Sequence, residues 1–175
     1  MAEYELLDCF AGGPTSNFDP ATHILWNQSQ RIAAERGHSK VFPWFFFEAW
    51  LASVEHPAFA VDAKAFSHLI QKKVGRPRQG LTTSNATEIA PEIVLANAFS
   101  LGQADCIRFS TQETVAYSWV IPNLLDSDLV IASSMRDSGI NLREYLKSVL
   151  ASLGEPFPKL IGHYVVRLRM IPSRI

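Results

Sequence analysis

The fold class is decided by residues 105–121, whose sequence is DCIRFSTQETVAYSWVI. Two runs within it, residues 105–111 and 113–121, alternate apolar and polar side chains and are rich in β-branched and aromatic residues, a pattern typical of strands. The segment DLVIAS, residues 128–133, continues the pattern. We interpret the three runs as consecutive strands.

Two further strands are predicted near the ends of the chain, at residues 3–10 and at residues 163–171, HYVVRLRMI. Strands that cluster along the chain, and do not alternate with helices, favour an antiparallel sheet covered by helices on one side. We therefore predict a single α+β domain over residues 1–175, with an antiparallel sheet of about four to five strands packed by about five helices. No internal repeat is visible.

Most of the helices are predicted before the strands. Asp19 and Pro20 form an N-cap followed by a proline at the first helical position, and Gly37 is a natural terminator. A second helix, from Pro43, is apolar on every side, which indicates central burial. The predicted helices are residues 20–36, 43–54 and 62–74, a helix beginning after Asn85 or at Pro91 and ending near Gly102, and residues 142–153.

The composition indicates a folded domain with no bulk attraction to polyanions. The chain has 175 residues, of which 47% are hydrophobic and 19% charged, and its net charge is −1. The most apolar segment, residues 41–54, includes Glu48 and is too short to span a bilayer. The opening residues MAEYELLDC lack the basic and apolar regions of a signal peptide. We expect a soluble cytoplasmic protein, bacterial in style, whose two cysteines stay reduced.

In the segment LLDCFAGG, residues 6–13, a short apolar run is followed by an acidic residue, a cysteine and a pair of glycines. It resembles the first motif of DNA cytosine methyltransferases, with Asp8, Phe10, Gly12 and Gly13 at the corresponding places. The resemblance implies a tight turn in which backbone N–H groups approach a cofactor. Such a site needs a helix directly after the glycines, whereas this chain continues with PTSNFDP. We therefore predict no cofactor, and we interpret the segment as a strand followed by a glycine turn.

Cys9 and His163 are the candidate residues of a cysteine-dependent hydrolase. His163 begins a predicted strand and in this is similar to the histidine of papain-like cysteine peptidases, which implies Cys9 as the nucleophile and His163 as its base. Such enzymes set the cysteine at a helix N-terminus, whose dipole lowers the pKa of the thiol. Here Gly12, Gly13 and Pro14 follow Cys9, and no acid or amide follows His163 to orient its ring. The sequence therefore favours a protein that is not an enzyme.

The histidines do not form a metal-binding pattern. None of the five is paired with another at a ligand spacing such as H-x-x-x-H, and neither cysteine has a second one nearby. We therefore predict no metal site. The five are His23, His38, His56, His68 and His163.

One basic cluster stands apart in the segment QKKVGRPRQG, where Lys72, Lys73, Arg76 and Arg78 occur with no acid among them. Its GRPR resembles the minor-groove arms of site-specific recombinases and TetR-like repressors, and the core of AT-hooks. The resemblance implies a nucleic-acid or anion-binding site. The segment that follows does not supply a helix-turn-helix with a basic recognition helix, so a solvated loop is the favoured interpretation. Arg167 and Arg169 of the last strand, together with Arg174 after it, could extend the same patch or line a solvent-facing sheet.

Three hypotheses about function follow from these observations. The first is a non-enzymatic binding or interaction module for a protein or small-molecule partner, able to form a homo-oligomer such as a dimer. The second is a nucleic-acid-binding protein that uses the basic segment 72–78. The third is the hydrolase that uses Cys9 and His163.

Overall fold

The computed structural model describes residues 13–53, 63–75, 89–110, 112–127 and 129–141, together with residues 144, 145 and 148. This part of the chain is mostly helical. Its helices are α1 (Pro20–Glu35), α2 (Pro43–Ser53), α3 (Ala63–Val74), α4 (Ile93–Phe109), α5 (Tyr117–Ser127) and α6 (Leu129–Asp137). Two short strands, β1 (Lys40–Val41) and β2 (Ala90–Pro91), pair in parallel. Residues 144, 145 and 148 are also helical.

The predicted antiparallel sheet of four to five strands is wrong. Residues 105–109 continue α4, and the other two supposed strands fall largely within α5 and α6. Every side chain from Ser118 to Leu125 is buried, so α5 shows no polar face from which a helical period could be recognised. A short apolar run of this kind does not distinguish a buried helix from a strand. The two terminal strands, residues 3–10 and 163–171, lie outside the described residues.

The predicted bounds of the first helix, the start of the second at Pro43 and the end of the third before Gly75 are confirmed, whereas the end of the second and the start of the third border residues outside the described ranges. Asp19 caps α1 by accepting a hydrogen bond from the Thr22 backbone N–H at 2.8 Å. Gly37 and Gly75, which follow α1 and α3, have φ angles of +74° and +75°, the left-handed conformation that glycine adopts without strain. The end predicted for the fourth helix is wrong, because α4 passes through Gly102 and continues to Phe109.

The sequence of residues 20–36 predicts that Ile24, Leu25, Gln28 and Ile32 share the inner face of α1, and this prediction is only partly right. Of Ile24, Leu25, Gln28 and Ile32, only Leu25 is fully buried, and the Ile24 side chain is 56% exposed. The face that meets the core includes several polar side chains, which is why a count of apolar residues misplaced it. Its residues are Thr22, Leu25, Trp26, Ser29, Gln30 and Ala33.

The helices form two similar halves, residues 18–75 and 90–141, which are joined by equivalent parallel contacts. β1 precedes α2 and pairs with β2, which precedes α4. In the same way Phe18, which precedes α1, forms a parallel bridge with Val115, which precedes α5. The backbone N–H of Asp19 donates to the Val115 carbonyl at 3.0 Å, and that of Glu92 donates to the Val41 carbonyl at 2.9 Å. The segment before the first helix of each half is thus held by the segment before the second helix of the other.

The equivalence extends to the buried side chains. Asp19 and Glu92 cap α1 and α4, and the same spacing of 73 residues relates Trp26 to Phe99. These two rings touch edge to face, with centroids 5.9 Å apart, so the halves meet at equivalent residues of their first helices. Along α1 and α4 only Gln30 and Gln103 are identical at this spacing. The repeat was therefore invisible as a sequence repeat.

The core lies between the helices of both halves. α1 packs against α2, α4 against α5, and α3 against α6. Phe46 and Trp50, on the apolar helix α2, are 0% and 3% exposed, which confirms its predicted burial. Tyr145 is buried against Trp50, with ring centroids 5.8 Å apart, which supports the helix predicted after Asn141.

Candidate interaction surfaces

The glycine turn has a packing role at the one position of its motif that the structure describes. Gly13 is buried with a φ of +98°, and a Cβ atom built on it would lie 2.4 Å from Cε2 of Trp26. Only a residue without a side chain allows the backbone to approach the indole this closely. The remaining motif positions, Asp8, Phe10 and Gly12, lie outside the described residues.

The structure describes only one of the two cysteines. Cys106 is buried, and its thiol donates a weak hydrogen bond to the Thr114 carbonyl at 3.9 Å. Burial raises the pKa of the Cys106 thiol above its ordinary value, so it stays protonated at neutral pH. Cys9 and His163, the proposed nucleophile and base, lie outside the described residues.

Two of the described histidines, His23 and His38, contact neighbouring residues of the fold. His23 Nε2 lies 3.1 Å from the Thr15 carbonyl. His38 packs edge to face against Phe42 and Phe45, and burial, followed by the charge of Arg36, lowers its pKa. Within the part of the chain that the structure describes, no three histidine, cysteine or acidic residues come close enough to hold a metal ion.

The two described lysines of the predicted basic cluster, Lys72 and Lys73, lie on different sides of α3. Lys73 forms an ion pair with Asp137, with 2.6 Å between Nζ and Oδ2, and donates to Ser133 Oγ at 2.9 Å. These bonds join α3 to α6, so the charge of Lys73 is paired with a carboxylate of the same chain. Lys72 is exposed on another side of α3, and Arg76 and Arg78 lie outside the described residues.

Lys72 belongs to a row of basic residues that runs along α3. Lys64, His68 and Lys72 are each four residues apart and exposed, and four residues make about one helical turn. With Ala65 and Leu69 they line an open surface depression. We call these five residues the α3 basic face. Sequence reasoning missed Lys64 and His68, although the signal was present, because α3 contains basic residues at helical spacing and no acid.

A second surface lies on α4, where three large apolar side chains face solvent. Ile93, Leu101 and Ile107 are 57%, 39% and 71% exposed. Ile93 and Ile107 lie almost four turns apart and about 40° from each other round the helix axis, and Leu101 lies about 80° from Ile93 and about 120° from Ile107. The exposed residues Asn97, Ala104 and Arg108 lie between them. We call these three residues the α4 apolar stripe. Sequence reasoning missed it, since residues 105–111 were interpreted as a strand.

The stripe is not a requirement of the fold. The residues of α1 that are equivalent to its three members are Pro20, Gln28 and Ala34. The exposed side of α1 also carries two charged side chains, Arg31 and Glu35. The equivalent helix of the same fold is therefore stable without large apolar side chains at these three positions.

The lengths of the helices bear on membrane insertion. None of the helices in the described ranges combines the length and the apolarity that crossing a bilayer requires.

The arrangement of the helices is similar to that of solved structures. The N-terminal domain of ClpD, a caseinolytic protease-associated chaperone from Arabidopsis thaliana, matches with a TM-score of 0.68 and 14% identity, over 79% of this chain and 96% of that domain. A chain studied in structural work on a malarial protein secretion system matches with a TM-score of 0.60 and 16% identity, over 87% of this chain and 99% of that one. This chain shares their fold. No protein-family model matches the sequence, and neither does any curated protein.

Proposed function

We propose that this chain is a non-enzymatic protein-interaction module that binds an apolar segment of a polypeptide partner on the α4 apolar stripe. The observation that carries the proposal is the exposure of Ile93, Leu101 and Ile107 on one helix. Large apolar side chains gathered on one surface mark interaction sites more often than those scattered singly.

Two further observations support a polypeptide as the occupant. Arg108 is the only charged residue on the exposed side of α4, so the surface suits uncharged side chains of a partner. A chain of the same fold is the N-terminal domain of a protease-associated chaperone, and another comes from work on a protein secretion system. Both contexts involve the handling of other polypeptides.

The nucleic-acid hypothesis has weaker support. Of its residues Lys72, Lys73, Arg76 and Arg78, the structure describes the first two, and Lys73 is neutralised by Asp137. The hydrolase hypothesis rests on Cys9 and His163, and no described residue adds to it.

The test is the binding of a fluorescently labelled, reduced and carboxymethylated protein, which is a permanently unfolded polypeptide, followed by fluorescence polarisation. We expect the wild type to bind it and the double variant Ile93→Ser/Ile107→Ser to bind at least about fivefold more weakly, because two apolar contacts are lost. Ile24→Ser is the matched control, since Ile24 is 56% exposed on α1 and should have no effect.

Equal binding by the stripe variant and the wild type would contradict the proposal. Light scattering after size exclusion gives a second, independent readout. A wild-type dimer that the stripe variant converts to a monomer would show that the stripe is covered by a second copy of the chain and not by a partner polypeptide.

A further inference from the structure

The α4 apolar stripe has a notch at Ala104. This residue lies midway between Leu101 and Ile107, three residues from each and therefore about 60° from each round the helix axis. All three residues are exposed. Side chains three residues apart on a helix are neighbours, so Leu101 and Ile107 form two walls and the methyl group of Ala104 forms the floor. The notch has room for one large apolar side chain of a partner.

A positive charge borders the notch. Arg108 is exposed and follows Ala104 by four residues, about one helical turn. Its Cζ lies 5.1 Å from the centroid of the Phe109 ring. No carboxylate in the described ranges of the chain lies within ion-pair distance of Arg108. A carboxylate of a partner can therefore pair with it, at the C-terminal end of α4.

The equivalent surface of α1 has neither feature. At the spacing of 73 residues, Ala104 corresponds to Arg31 and Arg108 to Glu35. A long side chain thus stands where α4 has its notch, and the charge beside it has the opposite sign. The fold accepts both arrangements, so folding does not explain the notch and its arginine.

We propose that the segment bound by the α4 apolar stripe is an amphipathic helix that runs antiparallel to α4 and carries a carboxylate in its first turn. A large apolar side chain of this helix enters the notch at Ala104, and the carboxylate, one turn earlier in the partner sequence, pairs with Arg108. This inference rests on the proposed function and adds the conformation, direction and charge of the partner.

The backbone of α4 favours a helical partner. Because the N–H and C=O groups of a helix are bonded within it, an extended segment lying on α4 would bury its own backbone groups without partners. A helix satisfies these groups internally. The distance from Ile93 to Ile107 is about 21 Å at 1.5 Å per residue, so a partner helix of about four turns covers the stripe.

The charge of Arg108 favours the antiparallel direction. Acidic side chains stabilise the first turn of a helix, so the acidic end of the partner is its N-terminal end. Pairing with Arg108 places that end beside the C-terminal end of α4. A second copy of the chain is a less suitable occupant, because a stable dimer needs about 800 Å² from each partner and the stripe has only three large apolar side chains.

The test uses three labelled peptides with the full chain, followed by fluorescence polarisation at about 50 mM salt, where exposed ion pairs are only weakly screened. The first is an alanine-based peptide of about 18 residues, with glutamate in its first turn and leucines at helical spacing after it. The second replaces the glutamate by glutamine. The third replaces residues on its polar face by proline, which prevents helix formation.

We expect the wild type to bind the glutamate peptide about threefold more tightly than the glutamine peptide, as for an exposed ion pair. It should bind the proline peptide at least about tenfold more weakly than the glutamate peptide, because that chain cannot satisfy its own backbone. Arg108→Glu should reverse the preference for glutamate. Arg31→Glu, at an exposed position of α1, is the matched control and should keep it.

Ala104→Leu tests the notch. It adds apolar surface to the stripe but fills the space for the partner side chain, so it should weaken binding of the glutamate peptide at least about fivefold. Asn27→Leu, at an exposed position of α1, is the matched control and should have no effect. Circular dichroism checks folding, and Arg108→Gln, which should remove the preference for glutamate, replaces Arg108→Glu if the latter unfolds.

The inference would be overturned by equal binding of the glutamate and proline peptides, by unchanged binding in Ala104→Leu, or by an unchanged preference in Arg108→Glu. A wild-type dimer that Ala104→Leu converts to a monomer would also overturn it and assign the notch to a second copy. If the inference alone fails, Ile93→Ser/Ile107→Ser still weakens binding of the carboxymethylated protein. If the proposed function fails as well, that variant binds the carboxymethylated protein as the wild type does.

Discussion

The two halves of the molecule, residues 18–75 and 90–141, have the same order of helices but place their buried polar pairs differently. In the first half, Arg36 donates to both carboxylate oxygens of Glu48, at 2.9 and 2.7 Å. The second helices of the halves, α2 and α5, begin at Pro43 and Tyr117, so equivalent residues in them are 74 apart. The equivalents of Arg36 and Glu48 in the second half are therefore Phe109 and Pro122, which are apolar. The fold therefore does not depend on an ion pair at this position.

The second half has its own polar pair at another place. Asn123 Nδ2 donates to Asp105 Oδ2 at 3.0 Å in the interior between α4 and α5. The equivalent residues of the first half are Ile32 and Ala49, which are apolar. The halves share most of their buried positions along the first helices, and what differs is the chemistry that fills them.

The largest expected effect tests the contact between the halves. Phe99 is 0% exposed and touches the rings of Phe18, Trp26 and Phe46. Phe99→Ala should lower the free energy of unfolding by about 3–5 kcal/mol, and Trp26→Ala by a similar amount, because each leaves a cavity at the centre. Urea unfolding followed by circular dichroism measures both.

The control for this comparison is Ile24→Ala, an exposed position that should change stability by no more than about 0.5 kcal/mol. If Phe99→Ala were as mild as this control, the two halves would not share one core at their first helices.

The second prediction concerns the ion pair that only the first half contains. Glu48 is 6% exposed and Arg36 25%, so Arg36→Met should destabilise the protein by roughly 2–3 kcal/mol, less than the loss of a fully buried pair. Arg36→Met/Glu48→Leu should recover most of this loss, because the second half is stable with apolar residues at both places. The urea midpoints of the two variants measure these changes in stability. A double variant no more stable than Arg36→Met would show that apolar residues cannot replace the Arg36–Glu48 ion pair as they do in the second half.

The smallest expected effect compares Gly102 with its equivalent, Ser29. A Cβ atom at Gly102 would lie 3.0 Å from the Trp119 carbonyl oxygen, so Gly102→Ala should force α4 and α5 apart and cost about 1 kcal/mol net of the better helix propensity of alanine. Ser29→Ala removes only a hydrogen bond to the Leu25 carbonyl and should cost less. Thermal unfolding would contradict this comparison if Gly102→Ala were the more stable of the two variants.

The parts of the fold that could be predicted are those with local causes. Asp19, Pro20 and Gly37 delimit α1 through a cap, a fixed φ and a left-handed terminator, which act within a few residues. The error began at Gly102, where a glycine in a helix was interpreted as its end. Its role is to let the Trp119 backbone approach, and this contact with another helix has no local signal.

The candidate surfaces were predicted less well than the helices. Lys72 was identified from its basic neighbours, but its partners in space, Lys64 and His68, follow from the helix and not from the charge run. Lys73 was placed in the same cluster, yet it faces Asp137, some sixty residues away, which no local pattern shows. Exposed apolar residues such as Ile107 could not be told from core residues until α4 was known to be a helix.

By itself, the sequence determined the bounds of α1, the start of α2, the end of α3 and the burial of α2. These features depend on backbone preferences and on an apolar surface that is complete within one segment. Only the tertiary structure decided that the three supposed strands between residues 105 and 133 fall largely within α4, α5 and α6, that the two halves are equivalent, and which basic and apolar side chains remain in solvent. The reason is that a fully buried segment loses its helical period, and that equivalent positions such as Trp26 and Phe99 are selected by the space they fill and not by identity.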